Sequence, residues 1–470
     1  MGEIELNNDE LRSTTISKLD GDPKIGWICN KKGLLLKTYG WLVKNAAGII
    51  LLIHGFRVHT RLTFMRINLQ MPNNNEDIVV DTNNYYIYKD SWIEKFNQNG
   101  YSVYALDLQG HGESQAWNNV RGEFSSFDDL VDDVIQYMNQ IQDEISNDNQ
   151  TNDDILNNNQ TNDDILNNNQ TNDDILNNNQ MNDESYDIVA TKKKKLPMYV
   201  IGYSMGGNIA LRMLQVLNKE KGYNINNGES DNYKKCKAIL DNSTNINEID
   251  NDMNNSKNDD PGTSSAGTSA TANASASDKH VEYDNYLDKF NIKGCISLSS
   301  MITLNETRNV GNRLIKYLYL PVTSLLSRVA PNAKFPSDPD YKQFEYINNT
   351  YRYDKFRNPD ETKFKYVYEL LKATVDVNYN INYMPKDIPL LFLHSSDDSV
   401  CHYQGTVSFH SKAKVETKNI YIFDKLDHAI TAAPGNEEVL NLIINWINNL
   451  RMNGGDKIKH EIEDKKKNEI

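Results

Sequence analysis

Residues Gly202-Tyr203-Ser204-Met205-Gly206 place a serine between two glycines, each two residues away. That spacing suits a nucleophile on a sharp strand-to-helix turn, where only small neighbours fit beside a strained backbone. The flanks agree: the apolar run Met198–Ile201 leads in, and Gly207, Ile209, Leu211 and Leu214 lead out with helical spacing. An ordinary strand-to-helix turn is the plainer reading of the five residues alone. On the sharper reading, Ser204 stands at a helix N-terminus whose N–H groups can stabilise a developing oxyanion, and the chemistry is acyl transfer.

A serine hydroxyl needs a base, and the base needs an orienting acid. With the nucleophile on such a turn, the order along the chain is Ser, acid, His. Of the nine histidines, His54, His59 and His111 precede Ser204, His280 falls in a low-complexity stretch and His460 in a charged tail. His394 ends a strand before any acid can follow that strand, and His402 and His410 come too soon after it. His428, past the run Ile420–Phe423 and ahead of the last helix pattern, is the expected general base. Asp398 is the expected acid, with Asp397 read as a loop-turn neighbour and Asp427, next to His428, as the alternative. A second oxyanion donor is expected after the strand ending at Ile53, so the N–H groups of Phe56 and Met205 would face the substrate oxygen. His54 is expected to brace that loop.

These side chains need a scaffold. Apolar runs at Gly48–Ile53, Tyr101–Asp107, Met198–Tyr203, Gly294–Leu298, Pro389–Leu393 and Ile420–Phe423 suit a mostly parallel sheet covered on both faces. Helical patterns at Phe127–Ile145, Met205–Leu217 and Glu437–Leu450 alternate with them, giving an α/β, doubly wound class. The net charge of −15 argues against nucleic-acid binding, and it is local: residues 146–190 and 223–288 together carry −17. Residues 151–180 are three identical copies of TNDDILNNNQ. That stretch and 223–288 read as disordered inserts, too poor in apolar area to offset their ordering entropy. Four scattered cysteines, Cys29, Cys236, Cys295 and Cys401, suggest no disulfide framework and no zinc site. Neither a signal core nor a membrane-spanning run is evident, so the expected location is cytoplasmic.

Taken together, His54-Gly55-Phe56, Asp107 through Ser114, Gly202 through Gly207, the Asp398 loop with Cys401, and Asp427-His428 resemble the α/β-hydrolase superfamily, specifically its monoacylglycerol lipase and lysophospholipase family. The resemblance spans about residues 30 to 450, and the Asn-rich inserts are similar to those of its protozoan-parasite branch, usually described as lysophospholipases or esterases. It implies an α/β-hydrolase core over 21–299 and 388–452, with inserts at about 146–192 and 223–288, a helical cap over 300–387, and a charged tail over 453–470. It also implies Ser204, Asp398 and His428 as a triad, Phe56 and Met205 as oxyanion donors, and no cofactor or metal. Asp107 through Ser114 is a structural turn in that family. Tyr203 departs from it, standing where histidine is common, and the segment Leu62–Tyr88 is longer than in simpler members.

The expected activity is ester hydrolysis of a lysophospholipid or monoacylglycerol, with an acyl-protein thioesterase or a non-catalytic binding scaffold as rivals. Leu314, Tyr317, Leu318, Val322, Leu325, Leu326 and Val329 follow helical spacing, with Pro321 at a helix start. Their apolar face is expected chiefly to pack on the body, the alternative being an acyl channel or transient membrane contact. Excising residues 146–190 is expected to leave ester hydrolysis intact. A large loss of activity in a deletion that still folds would make the repeat part of the working structure.

Overall fold

The computed structural model describes residues 19–70, 79–81, 84–163, 195–219, 286–305, 315–335 and 344–468. The chain divides into two units, Met1–Gln136 with Leu196–Ile470, and Tyr137–Lys195. The first unit is built on eight strands: β1 (Lys24–Cys29), β2 (Leu35–Trp41), β3 (Gly48–Ile53), β4 (Tyr101–Leu106), β5 (Met198–Tyr203), β6 (Ile292–Leu298), β7 (Leu390–Ser395) and β8 (Lys418–Phe423). Their order in the sheet is β1-β2-β4-β3-β5-β6-β7-β8. Both pairings of β2 are antiparallel, and all the others are parallel. The α/β class with a mostly parallel sheet is therefore as expected.

The central strands are apolar on both faces because both faces are covered; every residue of β3, β4 and β5 is buried. β1 and β2 were not expected from the pattern. In β2, Lys37 and Thr38 interrupt the apolar run, yet the whole strand is buried. Lys37 Nζ lies 3.3 Å from Glu113 and 5.2 Å from the centre of the Trp27 ring, so its charge is met inside the fold. At the other edge, β8 is only half covered, and Tyr421 and Ile422 face outward.

Among the described residues, eight longer helices accompany the strands: α1 (Trp92–Gln98), α2 (Phe127–Asp163), α3 (Met205–Lys219), α4 (Leu320–Val329), α5 (Glu345–Tyr353), α6 (Phe364–Tyr379), α7 (Tyr403–Lys412) and α8 (Asn436–Asn468). One runs further than expected. α2 passes its expected end at Ile145 and takes in the first copy of the repeat, having no glycine or proline to stop it. α8 continues from Leu450 to Asn468. The rest of the repeat and almost all of residues 223–288 lie outside the described residues. Among the described residues, no helix is long and apolar enough to cross a membrane.

Two further expectations need correction. Cys29 is disulfide-bonded, whereas Cys295 and Cys401 are buried and not in a disulfide. The apolar face around α4 is not packed away: Tyr317, Leu325 and Val329 are 72%, 61% and 74% exposed. Periodicity shows that a helix has an apolar side but not that a partner covers it.

Between β6 and β7, α6 buries Tyr366, Leu370, Leu371, Ala373 and Val377. Carboxamides on α3 hold its backbone, Asn208 donating to the Ala373 carbonyl (3.2 Å) and Gln215 to the Val377 carbonyl (2.8 Å). Just beyond α5, Asp354 meets the loop that follows β3. His59 Nε2 lies 3.1 Å from its Oδ1, Tyr86 donates to Oδ2 (2.7 Å), and the Phe356 and Arg357 N–H groups donate to Oδ1. Burial alone would raise the Asp354 carboxyl, but the His59 imidazole and these donors outweigh it and bring it down to about 2. A carboxyl held below its ordinary 3.8 stabilises the fold above that pH, and the contribution fades as pH falls towards 2. Asp354→Asn should therefore remove about 2 kcal/mol at neutral pH and flatten the loss of stability between pH 4 and pH 2. Urea titrations at pH 7 and pH 3 measure this, and equal pH dependence in wild type and variant would refute it.

Candidate active site

Ser204 has φ 54°, in the left-handed region, at the junction of β5 and α3. The turn closes because its neighbours lack side chains. A methyl group on Gly206 would strike the carbonyl oxygens of Ile53 and His54, and one on Gly202 would strike the Gly206 carbonyl. The same closeness brings in the loop after β3, since a Cβ on Gly55 would stand 3.1 Å from the Cβ of Ser204. Among the described residues, neither the Phe56 nor the Met205 N–H donates to a protein group.

His428 Nε2 lies 2.8 Å from Ser204 Oγ, and its Nδ1 lies 2.8 Å and 3.0 Å from the two oxygens of Asp398. The partners set the tautomer: Nδ1 carries the proton towards the carboxylate, and Nε2 accepts from the serine hydroxyl. All three residues are buried. The structure thus brings Ser204, His428 and Asp398 into one hydrogen-bonded line.

The neighbouring acids are held elsewhere. Asp427 Oδ1 accepts from the Ser399 N–H, the Ser399 hydroxyl and the His428 N–H. Asp397 Oδ2 accepts from the Lys425 N–H. Both lace the loop after β7 to the loop after β8. Asp398 also accepts at Oδ1 from the N–H groups of Val400 (2.9 Å) and Cys401 (2.7 Å). Burial would raise its carboxyl, but the His428 imidazole and the surrounding donors, His394 among them, hold it well below the usual carboxylate range.

His54 does not touch these groups. Its Nε2 accepts from the Leu108 N–H (2.9 Å), so Nδ1 carries the proton and donates to the Gly55 carbonyl (2.7 Å). Burial drives it down to about 3, and the ring acts as a neutral tie between the Gly55 loop and the turn after β4. Asp107 is equally internal, accepting from the Thr60 N–H, the Glu113 N–H and the Tyr39 hydroxyl.

Two contacts escaped the sequence reading. Tyr203 places its ring 5.3 Å from the His428 ring and donates from its hydroxyl to the His428 carbonyl (3.2 Å). His394, set aside as a base by its position, lies against the far side of Asp398 with Nε2 3.0 Å from Oδ2. Its spacing of four residues from the acid was the available signal.

A family model described as Serine aminopeptidase, S33 matches residues 83–151 and 264–434, just over half of the chain. Asp398 and His428 lie inside the second stretch, and Ser204 lies between the two. A search of curated proteins finds no match. Among solved structures, the chain is similar to a soluble variant of monoglyceride lipase from Saccharomyces cerevisiae in complex with a substrate analog. The two are 14% identical, with a TM-score of 0.53 over 91% of this chain and 96% of that one. It is also similar to a lipase in an open form, 12% identical, with a TM-score of 0.51 over 91% and 99% of the two chains. Likeness at such low identity carries the fold alone, and the fold is that of the α/β-hydrolases. With half of its length matched by the family model and its sheet built in the same way, the chain belongs to the serine aminopeptidase S33 family of α/β-hydrolases.

Proposed function

We propose that this hydrolase cleaves carboxylic esters through an acyl-enzyme, with Ser204 as nucleophile, His428 as general base and Asp398 as the acid that orients it. The observation that carries this reading is the line from Ser204 Oγ through His428 to Asp398, with contacts of 2.8 Å at each end of the imidazole. As Ser204 Oγ attacks the ester carbonyl, its proton passes to His428 Nε2. The ionised Asp398 stabilises the imidazolium that forms. Charge developing on the carbonyl oxygen is met by the N–H groups of Phe56 and Met205. Collapse of the tetrahedral intermediate expels the alcohol, which takes the proton from His428. Water, activated by the same imidazole, then releases the acid and regenerates Ser204.

A monoacylglycerol or lysophospholipid is the proposed substrate class. The family resemblance supports it, as does the apolar surface that Tyr317, Leu325 and Val329 expose in the segment between β6 and β7, read as a cap. That surface would meet an acyl chain or a lipid interface. An acyl-protein thioesterase would use the same three residues, and the peptidase in the family's description would cleave an amide with them.

Labelling with a fluorophosphonate probe tests the chemistry. Wild type should react and Ser204→Ala should not; a folded wild type that stays unlabelled would leave a binding scaffold as the better account. Hydrolysis rates on an ester chain-length series, an acyl thioester and an aminoacyl amide then rank the substrate classes. The acid is tested separately. Asp398→Asn should lower kcat by about 10⁴-fold, because the wrong imidazole tautomer is then favoured. Asp427→Asn keeps an oxygen for its three donors and should cost less than about tenfold. A reversal of that order would transfer the role to Asp427.

A further inference from the structure

His394, the last residue but one of β7, is fully buried, and both of its ring nitrogens are engaged. Nε2 lies 3.0 Å from Asp398 Oδ2 and 3.0 Å from the Cys401 carbonyl oxygen. Two oxygens that can only accept face this one nitrogen, so it carries the proton; a bare lone pair there would meet two others. Nδ1 lies 2.8 Å from Thr406 Oγ1, on the first turn of α7, and Thr406 is itself fully buried. The threonine hydroxyl therefore donates to Nδ1 and fixes the tautomer that the other nitrogen requires.

We propose that His394, locked by Thr406, is a positioning residue for Asp398, completing a line of hydrogen-bonding groups from α7 through Asp398 and His428 to Ser204. The inference rests on the triad reading given above. Its physical content is directional. Asp398 Oδ1 is fixed by two backbone donors of its own turn, whereas behind Oδ2 the fixed group is the His394 ring. That ring holds the carboxylate plane towards His428 Nδ1. By also meeting the Cys401 carbonyl, it keeps the short turn that carries Asp398 attached to the end of β7. Such a brace acts on the state in which His428 becomes cationic, so its loss should appear in the chemical step rather than in substrate binding.

The test uses the full chain, with fluorophosphonate labelling rates and ester kcat and KM for His394→Leu, His394→Gln and Thr406→Val, each checked for folding by thermal unfolding. His394→Leu should lower kcat and the labelling rate by at least about tenfold, with KM within about twofold of wild type. His394→Gln, whose amide N–H reaches the same place, should recover to within about threefold of wild type. Thr406→Val, nearly unchanged in shape, should fall between them. A folded His394→Leu variant with wild-type kcat overturns the proposal, as does a glutamine variant no better than leucine, which would mean packing alone. If His394→Leu does not fold, Thr406→Val decides: wild-type kcat there overturns the proposal. Failure of the triad reading looks different, because Ser204→Ala would then label as wild type does. In that case Asp398 has no catalytic imidazole to orient, and the proposal falls with the reading.

Discussion

The structure depends on a backbone crossing at which almost no atoms can be added. Ser204 sits in a left-handed conformation that costs about 1–3 kcal/mol and persists only where its surroundings over-determine it. Gly202 and Gly206 allow the crossing, and the Ile53 and His54 carbonyls close over it. Further strain lies in the neighbouring loops. Arg57, Ser299 and Asp427 also have φ between 41° and 61°, and they follow β3, β6 and β8. Those strands run parallel to β5, so the strained residues gather at the carboxyl ends of the sheet, where α/β folds place their ligands. The fully buried β3 and β5 provide the rigidity against which this strain is held.

A tight backbone crossing does not by itself aim a side chain, and here the aiming is done by buried polar groups that satisfy one another. His54 joins the Gly55 loop to the turn after β4, and Asp107 gathers three donors beneath that turn. Asp427 and Asp397 stitch the loop after β7 to the loop after β8. Each group would be costly if left unpaired, by about 1–3 kcal/mol for a neutral partner and more for a charge. The networks therefore fix loop positions more sharply than apolar contact does, because losing one partner exposes the full desolvation cost of the other.

What the sequence makes legible follows from the range of the forces involved. Ser204 was readable because its turn is local: glycines two residues away on each side, a strand before it and a helix after it. The parallel strands were readable because burial on both faces leaves continuous apolar runs. β2 was not, since Lys37 and Thr38 break its pattern, and the Lys37 charge meets Glu113 and the Trp27 ring through the fold rather than along the chain. The pairing of His59 with Asp354 spans almost three hundred residues. α2 runs past Ile145 because polar residues alone do not end a helix, which stops where the backbone requires it.

The choice among Asp397, Asp398 and Asp427 shows how such a limit is overcome. By sequence the three are carboxylates on two short loops, with Asp398 the expected acid, Asp397 its loop-turn neighbour and Asp427, the immediate neighbour of His428, the alternative. The structure separates them by hydrogen-bond capacity. Asp427 spends one oxygen on three donors that join the loops, and Asp397 accepts from the backbone of Lys425. Asp398 is the acid that presents both oxygens to an imidazole while its remaining capacity is taken by its own turn and approached by His394. A buried carboxylate so surrounded stays ionised despite its desolvation, and an ionised carboxylate is what a neighbouring imidazole needs when it gains a proton. The proposal of Asp398 as the acid thus rests on which carboxylate turns both oxygens towards the imidazole.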